Sequence, residues 1–528
     1  MFNDPITKGL KSGWKHQDAS RLNDHIHYEC DVAVIGTGAG GGIASEILAK
    51  SGLSVALIEE GPLKSSTDFK MLESDAYPDL YQESAVRTTK DKSIKILQGK
   101  TVGGGTTINW TTSFRTPQLT LDYWNKHFSI QGASEQELLS WFEQIEKKLG
   151  ISKWSVPPNT NNSLLAKGAK KLGIKTHSIN RNVRGCFNLG YCGLGCPTNA
   201  KQSMLVTAIP EALKNGAKLF TRTRAKKLIF SDGKAQSLEC DALNDNGTHL
   251  SGKKVIIHAN LFVLSAGAIG SPALLLRSGA PDPYQLIGKR TFLHPVTISG
   301  AIMPNKVNAD LGAPQTIYSD DFISKSLEEK KASYKLECPP VHPVLLSTVI
   351  GAHGMTHRKI MEKMSYLQVI ISLQRDGFHP ESIGGTVKLK DDLTPTLDYP
   401  ITKYMWDGFK RSLLTMSEIQ FAAGAVKVFP IHRGSQEYSS WNDAKAAIKN
   451  FPMKKLYAQL ASAHVMGGCA MGENQKQSVV NSNGKHHHIN NLYVIDGSIF
   501  PTSIGANPME SIATFSQKLS ADLAKKMP

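Results

Sequence analysis

The feature that most constrains the fold is a glycine-rich turn near the start of the chain. It follows the apolar run Asp-Val-Ala-Val-Ile at residues 31–35 and reads Gly-Thr-Gly-Ala-Gly-Gly from Gly36 to Gly41. A short β-branched apolar run predicts a buried parallel strand. Residues 43–51 then predict a helix, and residues 54–59 predict a second strand. The stretch therefore predicts a βαβ unit of about 30 residues.

Each glycine of this turn has a separate expected task. Gly36 permits the tight turn, Gly38 lets the backbone approach a phosphate, and Gly41 lets the helix pack closely on the strand. The helix N-terminus would face a pyrophosphate with unpaired N–H groups and the positive end of its dipole. Glu59 ends the second strand, where a carboxylate can accept hydrogen bonds from ribose hydroxyls. These features predict dinucleotide binding without distinguishing NAD from FAD.

A second glycine-rich loop covers residues 99–110, Gly-Lys-Thr-Val-Gly-Gly-Gly-Thr-Thr-Ile-Asn-Trp. Three consecutive glycines allow backbone to lie against a planar or phosphorylated ligand. The alternative is a flexible surface loop, which would not usually continue into Ile-Asn-Trp. We therefore predict cofactor contacts from Gly103, Gly104, Thr106 and Asn109.

The same α/β pattern returns far along the chain. Residues 262–267 predict a strand entering a glycine turn and then a helix, and residues 491–497 predict a strand with an acid at its end. A helix is expected over residues 509–525. The sequence thus predicts an α/β fold whose cofactor domain is discontinuous, with strands from opposite ends of the chain. Helical spacing also predicts helices over residues 135–149 and 403–423, and residues 366–373 predict a strand.

Bulk properties exclude several other classes of protein. The net charge is +16, but 45 acids are mixed among 61 bases and no run of five like charges occurs. Without a base-reading motif, this charge does not predict nucleic-acid binding; solubility or weak attraction to anionic membranes remains. No segment reads as membrane-spanning, and the N-terminus does not read as a secretory signal. Seven cysteines in a long chain argue against a disulfide framework. We expect a cytoplasmic protein, with peripheral contact to a membrane as an alternative.

Four separated blocks of the sequence resemble the glucose–methanol–choline (GMC) oxidoreductase family. They are the first glycine turn and residues 103–110, 265–279 and 464–511. The resemblance implies a Rossmann-like FAD-binding domain and a second α+β substrate domain built on a mostly antiparallel sheet, with FAD between them. The expected FAD-binding domain comprises residues 28–114, 200–300 and 456–528. The expected substrate domain comprises residues 115–199 and 301–455.

Within this family the chain looks most like long-chain alcohol and sterol oxidases. The blocks that carry this likeness are residues 464–469, 491–498, 293–296, 338–343 and 375–377. Residues 103–109 lack the histidine to which some members attach flavin, so the resemblance implies noncovalent FAD. It also implies that Ala225 meets the adenine and that Asp496 and Gly497 contact the ribityl–phosphate region.

The expected reaction is oxidation of an alcohol. The hydroxyl proton needs a base, and the hydride from carbon can pass to FAD. His464 matches the family's base position, and Asn507, where many members have a second histidine, would hold the substrate oxygen by a hydrogen bond. Glu337 is expected to be a solvated surface acid, with an acid near the substrate as the alternative. The resemblance implies a small-molecule substrate, a lipophilic long-chain or sterol-like alcohol, and leaves oxygen, a quinone or a cytochrome as the electron acceptor.

Three cysteines leave a second interpretation open. Cys186, Cys192 and Cys196 have the spacing Cys-x5-Cys-x3-Cys, and three thiolates this close can ligate iron–sulfur. The spacing resembles bacterial FAD sugar-dehydrogenase subunits, which carry a 3Fe–4S cluster. The Gly-Tyr-Cys-x3-Cys core also resembles long-chain alcohol oxidases, where no cluster is expected. The alternatives are therefore a membrane sugar or polyol dehydrogenase with a cluster and a cysteine-containing loop packed at the flavin edge.

Overall fold

The first sheet contains the predicted βαβ unit. The computed structural model describes residues 4–527, apart from the side chains at positions 325, 327 and 328. Six parallel strands form most of this sheet, five in its main order and a short C-terminal one beside it, and two antiparallel strands extend it. The order is Lys15–Asp18, Lys218–Thr221, Val55–Ile58, Ile26–Ile35, Leu250–Leu264, Lys234–Leu243 and Thr223–Ser231.

The two ends of the chain meet in this sheet, as the sequence predicts. The C-terminal strand Leu492–Val494 pairs in parallel with the end of Leu250–Leu264, which pairs in parallel with Ile26–Ile35 on its other side. Residues 32–35 are at most 2% exposed, so the apolar run is a fully covered central strand. The discontinuous organisation of the first sheet is therefore confirmed.

The second sheet is mostly antiparallel, as the resemblance implies. All its pairings are antiparallel except that between Leu460–Ser462 and Ile94–Ile96. Its order is Ile94–Ile96, Leu460–Ser462, Val296–Ile302, Leu367–Gln374, Tyr334–Glu337, Ile317–Ser319 and His177–Ser178, with Lys427–Pro430 also pairing with Val296–Ile302. Smaller sheets pair Thr291–Phe292 with Met466–Gly467, Thr386–Leu389 with Pro395–Asp398, and Asn180–Asn182 with both Thr112–Ser113 and Ile151–Lys153.

The helices pack around these sheets, and several match the sequence expectations closely. Glu135–Leu149 begins with a capping box at Ser134, whose hydroxyl accepts from the Glu137 N–H, and ends at Gly150 in the left-handed conformation. None of the helices within residues 4–527 is both long enough and apolar enough to cross a membrane. The α-helices are Pro5–Lys11, Ala39–Lys50, Glu73–Leu80, Gly105–Ile108, Gln118–Phe128, Glu135–Leu149, Thr160–Lys171, Ala208–Lys214, Gly267–Ser278, Asp321–Glu328, Pro343–Val349, Gly354–Glu362, Lys403–Ala423, Trp441–Lys449 and Met509–Ala524. Short 3-10 helices are Ala19–Arg21, Ser66–Asp68, Gln82–Ala85, Cys192–Leu194, Met364–Tyr366 and Gly497–Ile499.

The proposed domain ranges do not coincide with the two large sheets. Ile94–Ile96, Leu460–Ser462 and most of Val296–Ile302 lie in the second sheet, although the ranges 28–114, 456–528 and 200–300 were expected to belong to the FAD-binding domain. Lys15–Asp18 belongs to the first sheet but precedes all the proposed ranges. The ranges stay our proposal for the domains.

Candidate active site

One cavity of about 980 Å³ is lined by residues from both sheets. At one end it meets the two glycine-rich segments and the first sheet. At the other end it meets the strands of the second sheet. His464 and Asn507 both line it, so the two predicted catalytic residues lie in the same cavity as the predicted cofactor loops.

The first glycine turn has the geometry that its spacing predicts. Gly36 has a φ of 102°, and a Cβ at Gly41 would lie 1.9 Å from the Gly36 carbonyl oxygen, so a side chain is excluded there. A Cβ at Gly38 would meet nothing within 4 Å, although Gly38 lines the cavity. The helix Ala39–Lys50 begins at Gly38 without a side-chain cap. Its first N–H groups are therefore available to an anion in the cavity.

Thr37 joins the two glycine-rich segments, a link that the sequence analysis missed. The Gly103 N–H donates to Thr37 Oγ1 at 3.0 Å, and this hydroxyl donates to Glu59 Oε2 at 2.5 Å. Gly104 has a φ of 52°, and a Cβ there would lie 2.8 Å from the Gly38 Cα. Gly104, Thr106 and Asn109 line the cavity, whereas Gly103 lies behind them.

Glu59 lies at the cavity, but its carboxylate is occupied by the protein. It accepts from the Thr37 N–H at 3.2 Å and the Gly61 N–H at 2.9 Å, besides the Thr37 hydroxyl. Burial raises the pKa of Glu59 to about 7. The neighbouring Glu60 also lines the cavity and pairs with Arg224 at 2.9 Å. The contact of Glu59 with ribose stays a prediction, and Glu60 is a second carboxylate at the same edge.

The predicted contacts near the C-terminus also reach the cavity. Asp496, Gly497 and Ala225 line it. Asp496 Oδ1 accepts from the N–H and hydroxyl of Ser498, while Oδ2 accepts from the Gly267 N–H at 2.8 Å and the Ser271 hydroxyl at 2.6 Å. Its carboxylate therefore joins the segment at Ser498 to the start of the helix Gly267–Ser278 rather than pointing free into the cavity.

His464 contacts a second histidine. Its Nδ1 lies 3.1 Å from Nδ1 of His294, and the ring centroids are 5.2 Å apart with planes inclined by 28°. Burial, with a smaller effect of the nearby Lys335 ammonium, lowers the pKa of His464 to about 3. Burial also holds the pKa of His294 well below its ordinary value. Both rings are therefore neutral at physiological pH.

Asn507 belongs to a buried polar cluster. Lys335 Nζ donates to Asn507 Oδ1 at 3.3 Å and pairs with Glu337 Oε1 at 3.1 Å. Asn507 Nδ2 and Gln315 Nε2 donate to Glu337 Oε2 at 3.3 and 2.6 Å. The expectation of a solvated surface acid at Glu337 is wrong, since the residue is 0% exposed. A buried charge of this kind persists because it is paired and hydrogen-bonded.

The far end of the cavity is apolar. Its wall comes from three strands of the second sheet, the helix Pro343–Val349 and two residues outside these elements, Val341 and Ile431. The lining residues are Val296, Ile298, Val341, Leu345, Leu346, Val349, Leu367, Val369, Ile371, Leu373, Phe429 and Ile431. The sequence shows these residues only as ordinary strand and helix positions, so the apolar pocket was not predicted.

Cys186, Cys192 and Cys196 are not arranged as metal ligands. Within residues 4–527, no group of three or more His, Cys, Asp or Glu side chains is placed to hold a metal ion. The sulfurs instead accept from the Asn188 N–H, the Arg181 guanidinium and the Lys201 N–H, at 3.4, 3.7 and 3.5 Å respectively. The iron–sulfur interpretation therefore has no support in the structure.

The alternative, a loop packed at the flavin edge, fits the contacts of Lys201. Its Nζ donates to the carbonyl oxygens of Thr107 and Asn109 in the second glycine-rich segment, at 2.6 and 2.9 Å. It also donates to the Cys192 carbonyl oxygen at 2.6 Å. The Lys201 side chain thus joins the cysteine loop to the second glycine-rich segment through their carbonyl oxygens.

Three residues that matter to the site carried little signal in the sequence. His294 stood out only through the His-Pro pair after Leu293, and Lys335 and Gln315 had no distinguishing pattern. The one hint of a polar cluster in the sequence is the strand pattern Tyr-Lys-Leu-Glu at residues 334–337, which carries two opposite charges. In the structure all four positions are buried. Charges at both positions of a covered strand predict an internal ion pair.

Comparison with known proteins identifies the family. The N-terminal GMC oxidoreductase model matches residues 77–296, and the C-terminal GMC oxidoreductase model matches residues 380–516. The long-chain-alcohol oxidase FAO1 of Arabidopsis thaliana is 28% identical over 99% of this chain and 69% of its own length. The long-chain-alcohol oxidase FAO4B of the same plant is 29% identical over 99% of this chain and 71% of its own length.

Solved structures show the same fold. A formate oxidase of Aspergillus oryzae RIB40 superposes with a TM-score of 0.70 at 14% identity, covering 96% of this chain and 99% of its own. A pyridoxine 4-oxidase from Mesorbium loti superposes with a TM-score of 0.68 at 17% identity, covering 94% and 100%. With the two family models matching most of the chain, the protein belongs to the GMC oxidoreductase family and is an FAD-dependent oxidoreductase acting on CH–OH donors.

Proposed function

We propose that this enzyme oxidises a lipophilic alcohol, with a long aliphatic chain or a sterol-like body, and that His464 takes the hydroxyl proton. The observation that carries the proposal is the continuity of the cavity. The apolar residues of the second sheet line the same cavity as His464 and Asn507. A lipophilic tail buried there gains about 0.8 kcal/mol per methylene, whereas a sugar would lose its hydrogen bonds to water.

The residues around the cavity fit FAD. The uncapped start of Ala39–Lys50 offers N–H groups to a pyrophosphate, and the empty space beside Gly38 leaves room for it. We propose that Gly36, Gly38, Gly104, Thr106, Asn109, Ala225, Asp496 and Gly497 border the cofactor, with Glu59 or Glu60 near the ribose. When bound, FAD supplies the acceptor for a hydride. No histidine lies in residues 103–109, which favours noncovalent attachment.

The protein groups would act on the proton and on orientation. His464 is neutral at pH 7, so a ring nitrogen can accept the hydroxyl proton as the carbon loses its hydride. Loss of the hydride makes this proton strongly acidic, and a weakly basic imidazole is then sufficient. Asn507 lies beside Lys335 and would hold the substrate oxygen by an amide N–H, while the ammonium favours negative charge developing on that oxygen.

The direct test is anaerobic flavin reduction. Flavin-loaded enzyme is mixed with ethanol, octanol, hexadecanol, a sterol or sorbitol, and loss of the oxidised flavin absorbance is followed. We expect reduction by lipophilic alcohols, with the apparent affinity for linear alcohols rising up to about fourfold per buried methylene. Faster reduction by sorbitol than by octanol would favour a polyol dehydrogenase and contradict the proposal.

The role of His464 is tested by His464→Ala, with His258→Ala at an exposed site outside the cavity as the control. We expect flavin reduction to slow by about 10²–10⁴-fold in His464→Ala, because the general base is lost. FAD content should remain that of the wild type. Unchanged flavin reduction in this variant would refute His464 as the base.

Acid precipitation of the enzyme tests whether FAD is bound noncovalently, since noncovalent FAD is released to the supernatant.

The cellular setting also remains a proposal. We propose a cytoplasmic enzyme with peripheral contact to membranes, on the basis of its net charge of +16 and a lipophilic substrate. Sedimentation with anionic and zwitterionic vesicles tests this proposal. We expect the protein to bind the anionic vesicles, and this binding should weaken with salt. Absence of the protein from both vesicle pellets would contradict the membrane contact.

A further inference from the structure

The contact between the two imidazoles constrains where their protons lie. Two ring nitrogens 3.1 Å apart are at hydrogen-bond distance, so one Nδ1 must carry a proton and the other must accept it. Two protonated Nδ1 atoms would repel each other, and two bare ones would bring lone pairs together. The tautomers of His294 and His464 are therefore coupled, and one proton is shared along this line.

The position of the shared proton also determines whether Nε2 of each ring carries a proton. If His464 Nδ1 carries the shared proton, then His464 Nε2 is bare and His294 carries its proton on Nε2. If His294 Nδ1 carries it, His464 has a protonated Nε2 that cannot accept another proton while the ring stays neutral. Only the first arrangement leaves His464 able to act as a base.

We propose that His294 is a positioning residue that accepts the Nδ1–H of His464 and thereby keeps His464 Nε2 free for the hydroxyl proton of the substrate. This inference rests on the proposed function of His464 and goes beyond it by assigning His294. In the step itself the O–H bond breaks and its proton passes to His464 Nε2. FAD, when bound, would supply the acceptor for the hydride of the same carbinol carbon as the C=O bond forms, and the Nδ1–H of His464 stays on the bond to His294.

The buried surroundings of His294 support this arrangement. His294 is 0% exposed, and its Nε2 has no hydrogen-bond partner among the described residues. A buried polar atom without a partner is uncommon in native proteins and costs about 1–3 kcal/mol. Among the described residues, the bond to His464 Nδ1 is therefore the one hydrogen bond of the His294 ring. The ionisable groups whose charges act on the His294 ring are His464, Lys335 and Arg375. The acid in contact with the residue, Asp376, accepts from its backbone N–H.

The backbone fixes the two rings relative to each other. His294 has a φ of 47°, and its N–H and that of Leu293 donate to the two carboxylate oxygens of Asp376, at 3.1 and 3.0 Å. The Ser462 hydroxyl donates to the Leu293 carbonyl oxygen at 2.5 Å and accepts from the His464 N–H at 3.2 Å. One serine therefore ties together the segments that carry the two histidines. Such fixed geometry is what a shared proton requires.

The first test reads the tautomer directly by ¹⁵N NMR of the flavin-loaded enzyme labelled at histidine ring nitrogens. The His464 signals are assigned by their loss in His464→Gln. We expect His464 with Nδ1 protonated and Nε2 bare. A resting His464 with protonated Nε2 and bare Nδ1 would overturn the assignment of His294 as acceptor.

The second test compares two variants at position 294. His294→Asn can place its amide oxygen where Nδ1 lies, and asparagine tolerates a positive φ, whereas His294→Leu offers no acceptor. We expect the rate of flavin reduction at saturating alcohol to fall about 100-fold in the leucine variant and less than tenfold in the asparagine variant. The apparent affinity for the alcohol and the FAD content should change little in both.

Folding and the two proposals can be separated in the same experiment. Thermal unfolding and FAD content show whether each variant is folded, and the NMR test needs no change at position 294. If His464→Ala abolishes flavin reduction but folded His294→Leu reduces flavin at the wild-type rate, the role of His294 is refuted and the base assignment stands. If His464→Ala has no effect, the proposed base itself is refuted.

Discussion

The two ends of the cavity are lined by different parts of the polypeptide, backbone at one end and side chains at the other. The cofactor end is mostly backbone: two glycine-rich segments touch at Gly38 and Gly104, and an uncapped helix presents its first N–H groups. The other end is made of side chains, an apolar wall from the second sheet and the buried pair Lys335–Glu337. Backbone recognition suits a cofactor that does not vary within a family. Side chains can be exchanged without altering the backbone, so we expect substrate preference to be set at the second end.

The strongest test of this contrast is made in the glycine turn. A methyl group at Gly41 would lie 1.9 Å from the Gly36 carbonyl oxygen, so Gly41→Ala should prevent correct folding. The methyl of Gly38→Ala meets only open cavity. We expect Gly38→Ala to yield folded apoprotein with the wild-type unfolding temperature but FAD affinity lower by about 100-fold, equivalent to about 2.7 kcal/mol. Fluorescence titration with FAD and thermal unfolding measure the two effects.

If Gly38→Ala binds FAD as the wild type does, backbone approach at Gly38 is not what holds the pyrophosphate. Equal destabilisation of the two alanine variants would also contradict the contrast between them.

The ion pair provides a large effect at the substrate end. Lys335→Met leaves Glu337 buried without its counter-charge, and we expect a loss of about 3–5 kcal/mol in the free energy of unfolding. Adding Glu337→Gln removes the charge but keeps an acceptor for Gln315 and Asn507, so the double variant should recover most of that loss. Denaturant unfolding of the wild type and the three variants measures the coupling. A Lys335→Met protein as stable as the wild type would show that the pair is not an energetic unit.

The apolar wall should control chain length more than chemistry. Val369 lines the cavity, so Val369→Phe should occupy space that a long tail needs. We expect KM for hexadecanol to rise about tenfold, which corresponds to losing the burial of roughly one to two methylenes. KM for butanol should change little. Val426→Phe at an exposed site is the control. Equal effects on both alcohols would indicate that the tail lies elsewhere.

The smallest expected effect is the pH dependence of the base. Because the pKa of His464 is lowered to about 3, its imidazole stays neutral throughout mildly acidic conditions. We expect kcat/KM to change less than about twofold between about pH 8 and 5, without an inflection near the usual histidine pKa of about 6.5. A flat profile would agree with a buried base, and a clear inflection near 6.5 would contradict it.

The same shift predicts a direction for stability. The unfolded chain binds a proton at position 464 near the ordinary pKa of about 6.5, while the folded protein does so only at much lower pH. As the pH falls below about 6.5, the unfolded state therefore takes up a proton at His464 that the folded state does not. The free energy of unfolding decreases for this reason between about pH 6.5 and pH 3.

Local patterns were sufficient for much of the cofactor end. The turn from Gly36 to Gly41 was predicted from its spacing, and one of its contacts, between Gly41 and the Gly36 carbonyl oxygen, joins residues close in sequence. Gly36 and Gly40 instead lie against Ser265 and Ile495, which only the fold brings near. The helices Glu135–Leu149 and Lys403–Ala423 were also predicted with their observed limits, since capping and apolar spacing are properties of single segments. Even here, the bridge from Thr37 to Gly103 escaped prediction because it joins two distant loops.

The sequence by itself determined the family, the βαβ unit, the glycine positions and the two residues His464 and Asn507 as candidates. Only the tertiary structure decided that His294 shares a proton with His464 across 170 positions, and that Lys335 reaches Asn507 across 172. The physical reason is range: glycine turns and helix caps depend on a few adjacent residues. Burial, charge pairing and the position of a proton depend instead on side chains that meet only when the two sheets pack together.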